Sequence, residues 1–173
     1  ACPQGYNAAG NACMPRSSSR SGGKTLMAEN LVERYAETRR LTEWLCEPLE
    51  TEDYVVQAMP DASPTRWHLA HTTWFFETFV LSQWLPGYRP VSDAYQVLFN
   101  SYYNSIGEQF PRARRGLLTR PTVREIFEYR RIVDGRMSEL LSDRNDVELS
   151  RVVVLGLQHD VTANITVVVV GEQ

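Results

Sequence analysis

The chain has 173 residues, 43% of them hydrophobic and 23% charged, enough for one folded domain with a sizeable core. Its formal net charge of -3 speaks against nucleic acid as the main partner, because phosphate binding calls for a basic surface. No apolar run reaches the length of a membrane span, and no charged start followed by an apolar stretch marks a signal peptide, so the expected location is cytoplasmic.

Residues 1–26 form a small, polar, Gly/Ser-rich leader with too little to bury, and disorder is predicted there. Cys2 and Cys13 lie in it, and Cys46 ends the helical pattern that follows. Three cysteines without a CxxC pair predict reduced thiols rather than a disulfide framework or a cysteine zinc site.

From Met27 the apolar spacing becomes helical. Leu31, Tyr35, Thr38, Leu41 and Leu45 recur every three or four residues, and Pro48 closes the segment. Ser63-Pro64 predicts the next start, with serine as N-cap and proline in the first turn. The run 67–84 that follows is apolar nearly all round, which predicts the most buried helix. A shorter helix is predicted over 94–103. The segment 106–121 is then a loop with two prolines, two glycines and four arginines, long enough to suggest a function.

Thr122 and Glu125 make a capping box for a helix with Ile126, Tyr129, Val133, Met137 and Leu140 on one face. Asn145 or Asp146 caps another, with Leu149, Val152, Gly156 and His159 in line. The β-branched end of the chain suits strand better than helix. The expected architecture is therefore an all-α, up-down four-helix bundle over residues 27–165, with an irregular apolar tail over 166–173.

The only histidines are His68, His71 and His159. Facing helices of a bundle are a natural place for a metal, since each supplies ligands from a stiff backbone, and neutral imidazole suits iron, zinc, copper or nickel. His68 and His71 are three apart and can share a face, so ligation by both is open on spacing alone. A lone histidine among aromatics is more often a core residue, and that reading stands beside the metal one. Gly156, one turn before His159, implies either a close approach or a weak point in its helix. Arg112, Arg114, Arg115 and Arg120 suit a carboxylate ligand, or simply a solvated basic loop. Tyr102 and Tyr103 precede that loop and either line a pocket or pack in the core.

The stretch SPTRWHLAHTTWFFETF at 63–79, continued by LFNSYYNSIGEQFPRARRGLLTRPTVREIFEYRRIVDGRM and LGLQH, resembles the N-terminal DinB-like domain of ergothioneine-biosynthesis sulfoxide synthases over roughly residues 28–160. That resemblance implies a mononuclear non-haem Fe(II) held by three histidines. The LAH element supplies one, here His71. An H-x-x-x-H pair supplies the others, and its first member matches His159. The pattern then expects a histidine where this chain has Ala163, and it leaves His68 out of the ligand set. Asp160 follows His159 but lies about 100° round the helix from it.

By the same resemblance, the intact enzyme joins a cysteine-type thiol, cysteine or γ-glutamylcysteine, to trimethylhistidine with dioxygen. A further domain, to which nothing here corresponds, supplies much of the pocket. A truncated gene, a shifted reading frame or a fusion junction would each produce both departures, and the chain alone is not expected to be a working enzyme. Two other classes fit the residues: a DinB-like thiol transferase with zinc or nickel, and a helical bundle without catalysis.

Overall fold

The computed structural model describes the backbone of residues 22–144 and 146–171 and the side chains of 31–144 and 146–162. Four long helices make the domain, and no strand occurs among the described residues. They are α1 (Gly22–Cys46), α2 (Thr65–Phe76), α4 (Val123–Asp143) and α5 (Val147–Gly171). Helix α2 runs on through a π-helical turn, Glu77–Leu81, into a last α-helical turn, Ser82–Trp84. A short α3 (Tyr95–Leu98) and a 3-10 stretch (Arg112–Leu117) fill the long connection between α2 and α4. Helices α1 and α2 each pack against both α4 and α5, so the bundle reads α1, α4, α2, α5 around its axis.

Both ends of the bundle differ from the sequence expectation. Helix α1 already begins at Gly22, inside the predicted leader, while residues 1–21, with Cys2 and Cys13, lie outside the described residues. At the other end the backbone stays helical through Gly171, where an irregular, strand-like tail was expected. The helix preference of valine is only about 0.5 kcal/mol worse than that of the better formers, and each residue added to an existing helix gains a hydrogen bond.

The caps follow local chemistry. Thr122 and Glu125 form the expected reciprocal box at the start of α4. Asp146 caps α5, its Oδ1 accepting from the amides of Glu148 and Leu149. Ser63 does not cap α2. Pro64 holds the N-cap position, and the Ser63 hydroxyl accepts instead from Arg115. The third helix is shorter than predicted because the Asn100 amide donates to the carbonyls of Tyr103, Gly107 and Glu108, bending the chain away from helix. Tyr102 takes a left-handed conformation there, with φ 66°.

The core is strongly aromatic on α2, where every residue from Arg66 to Phe76 except His68 is buried. On α1 the buried face is Leu31, Tyr35, Arg39, Thr42 and Cys46, while Leu41, read as core from its spacing, is 42% exposed. An apolar stripe cannot announce that a charged residue turns inward. Arg39 does so because two helices offer it carboxylates. Its Nε donates to Asp134 on α4 at 2.8 Å, and one Nη to Asp160 on α5 at 3.0 Å. Its other Nη donates to Thr73 on α2 at 2.8 Å. Tyr35 adds a hydrogen bond to Asp134, and Thr42 one to Asp160.

Arg130 lies beside this group, fully buried, and makes only long contacts of 3.3–3.4 Å to Leu69, Thr72, Thr73 and the Arg39 carbonyl. Burial and the nearby Arg39 charge both lower its proton affinity. Arg39→Ala would take from the fully buried Asp160 the cation paired with it and leave two carboxylates to the single charge of Arg130. Removing one partner of such a pair costs about 3–5 kcal/mol. Urea unfolding of the variant should show a loss of that order, and a loss below about 1 kcal/mol would mean that the pair contributes nothing specific.

Candidate metal centre

The end of α3 sets the first half of the centre. A helix leaves its last carbonyls without partners, and those of Leu98 and Phe99 are met from α2. Trp67 donates its indole N–H to Leu98 at 2.8 Å, and His71 places Nδ1 2.6 Å from the Phe99 carbonyl. A carbonyl only accepts, so Nδ1 carries the proton and a neutral His71 keeps its lone pair on Nε2. The ring is stacked between Trp67 and Trp74, at centroid distances of 4.6 and 5.7 Å. Its orientation is thereby fixed from three sides.

Helix α5 brings the second half. Gly156 lies where α5 meets the rings of α2, and a Cβ there would sit 2.6 Å from Phe76 and 2.9 Å from Phe75. The glycine therefore answers to close approach. One turn on, His159 stacks on Phe75 at 5.6 Å and meets His71 edge-to-face, with 4.9 Å between ring centroids. Its Nδ1 is buried without a hydrogen-bond partner. Asp160, the next residue, turns into the core to Arg39, as the helical rotation implies.

All three imidazoles are held neutral. Burial, then the neighbouring His159, pushes His71 down to about 3. Burial and Arg115 push His68 down to about 4. Burial also lowers His159, against a small opposing pull from Asp160. Neutral imidazole is the form that binds a metal, and a ring N–H held by a backbone carbonyl is the usual outer support of a histidine ligand. The donor chemistry of His71 and His159 thus fits a divalent ion. Among the described residues no three His, Cys, Asp or Glu side chains already form a group able to hold one.

The arginine loop divides. Arg114 and Arg120 are exposed, and Arg112 lies over the exposed Tyr102 ring at 4.8 Å. Arg115 is buried, 3.4 Å above the Trp67 ring, with Nη groups donating to Ser63 and Ser101 and Nε without a partner. Burial and Arg112 lower its proton affinity to about 10. Sequence weighed the four arginines alike; only the fold singles out Arg115. Tyr103 packs on Phe75, Phe79 and Trp74, whereas Tyr102 faces outward.

A family model described as the DinB superfamily matches residues 34–170, most of the chain and both histidine-bearing helices. The chain belongs to the DinB superfamily. Comparison with curated proteins finds no match. The DinB match begins within α1 and runs into the last turn of α5, so it takes in all or most of each of the four long helices. Among the described residues, no helix of this DinB domain is long and apolar enough to cross a membrane.

Gly156→Ala should destabilise the domain by about 1–3 kcal/mol through overpacking against Phe76, even though alanine alone favours helix by about 1 kcal/mol. A gain in stability on chemical denaturation would contradict the close approach. The buried histidines make a second expectation. Their folded proton affinities lie below the value of about 6.5 in the unfolded chain, so the unfolded state takes up more protons as pH falls. Stability should hold above about pH 7 and decline steadily from about 6.5 towards 3. Urea midpoints measured across that window test it, and a flat profile down to about pH 4 would show the imidazoles to be protonated in the fold.

Proposed function

We propose that this DinB domain is the metal-binding half of a non-haem Fe(II), oxygen-dependent sulfoxide synthase of the ergothioneine type, joining a cysteine-type thiol to trimethylhistidine. The observation that carries the reading is the meeting of His71 and His159, neutral and 4.9 Å apart, between helices locked by Gly156. Iron bound there would supply the activation of dioxygen, a chemistry that side chains alone lack. The sequence likeness over 63–79 and through the arginine loop gives the reaction its name.

This chain's own residues have separate tasks in the proposal. His71 and His159 hold the ion, and the Phe99 carbonyl fixes the His71 tautomer. Arg115 is a buried cation whose hydrogen bonds go to two serine hydroxyls rather than to a carboxylate. It suits a substrate carboxylate, with Ser63 and Ser101 keeping the guanidinium in place and Trp67 shielding its face. Trp67, Trp74 and Phe75 keep water from the rings of both histidines.

Ala163 gives weight to a second reading. Its methyl group offers no ligand where the likeness expects a histidine, and a bundle with two imidazoles alone would bind weakly or carry no metal at all. The two readings separate in a thermal melt under anaerobic Fe(II). On the first, the wild-type melting temperature rises with added Fe(II), and the rise disappears in both His71→Ala and His159→Ala. At about 100 times the dissociation constant a bound ion adds about 2.7 kcal/mol. Equal melts with and without Fe(II) in the wild type would leave the non-catalytic bundle.

A further inference from the structure

We propose that the pocket between the loop after α2 and the outer side of α4 binds a small organic anion, a phosphate or carboxylate carried on an apolar body. It lies beyond the π turn, and the inference does not rest on the metal reading of His71 and His159. The cavity measures about 410 Å³, within the roughly 300–1,000 Å³ of small-molecule sites. Its apolar wall is Leu85, Pro86 and Val91 from the loop and Ile132 from α4. Arg89 from the loop and Arg136 from α4 line the same cavity.

The loop wall is held from behind. Pro86 and Gly87 make a tight turn, in which the Tyr88 amide donates to the Leu85 carbonyl at 3.1 Å and Gly87 takes φ 74°. The Tyr88 hydroxyl and the Val91 amide then both donate to Glu77 Oε1, each at 2.8 Å. Tyr129 on α4 donates to Glu77 Oε2 at 2.6 Å. One buried carboxylate therefore ties the loop to α4, and the two walls keep their separation without a ligand. A cavity formed in advance has little ordering left to do when it binds.

Charge decides what the cavity takes. Arg89 has no hydrogen bond or ion pair among the described residues. Arg136 pairs with Glu139 at 2.9 Å, but the two side chains are 54% and 65% exposed, and a pair so open to water holds weakly. Glu77 already has both oxygens engaged. Two guanidinium groups thus border an apolar wall with no carboxylate firmly bound to either. Guanidinium forks match the oxygens of phosphate and carboxylate in pairs. A bare anion would leave the wall in contact with water, and a neutral hydrocarbon would leave the cations unmatched.

Titration of the full chain with phenyl phosphate, followed by two-dimensional amide NMR, tests the assignment. Saturable shifts should centre on the amides of Gly87, Arg89 and Ile132. Inorganic phosphate and phenol, each carrying half of the recognised chemistry, should bind at least about tenfold more weakly. Benzoate should shift the same amides, and its affinity relative to phenyl phosphate assigns the head group. Arg89→Ala and Arg136→Ala should each weaken phenyl phosphate binding by roughly tenfold. Arg151→Ala, which removes an exposed arginine paired with Glu148 on α5, should leave it unchanged. All three arginines are exposed, and the rest of each spectrum shows whether the variant is folded.

Shifts scattered over the surface arginines, or an equal loss in Arg151→Ala, would reduce the effect to diffuse charge and overturn the site. Phenyl phosphate binding no tighter than inorganic phosphate would overturn it too, as would the absence of any saturable shift at millimolar ligand.

Discussion

Arg39 is the point at which the four helices become one object. Its guanidinium, on α1, reaches Asp134 on α4, Asp160 on α5 and Thr73 on α2. A buried cation cannot be left without partners, so each of these distances limits how the helices slide or rotate. The neighbouring Arg130 makes the group a balanced set of two cations and two carboxylates. That balance means the members cannot change singly without leaving a net charge in the core. An apolar interior can repack in many ways, whereas a set of directional bonds admits few.

The histidines inherit this order. Asp160 and His159 are successive residues, so the ion pair that fixes one fixes the rotation of the helix carrying the other. Gly156 then sets how near α5 comes to the aromatic face of α2, and the end of α3 sets the His71 ring. Three separate constraints converge on a pair of neutral imidazoles. Side chains fixed in this way need little rearrangement for whatever contact they make next.

The helical class, the α4 capping box and the burial of α2 were legible from periodicity and cap residues, because those depend on neighbours in sequence. The inward turn of Arg39 was not, since its reason lies in carboxylates 95 and 121 residues away. Gly156 signalled only that something was special; the rings of Phe75 and Phe76 supplied the cause. His71 and His159 were marked by likeness to a family pattern, and the geometry that unites them could not come from spacing. Arg115 was one of four equal arginines until the fold turned it onto Trp67. The short α3 was overestimated because Asn100 competes for backbone carbonyls only once the following loop has formed.

The π turn at Glu77–Leu81 carries one residue more than an ordinary turn, with the amide of Ser82 bonding back to the Glu77 carbonyl. Everything after it is therefore out of phase with everything before it. Upstream, α2 presents His71 and Trp74 to the centre; at the turn itself, Glu77 faces the opposite task of gathering Tyr88, Val91 and Tyr129. A single extra residue thus lets one helix serve two environments, and the loop leading to α3 is anchored by the second without disturbing the first.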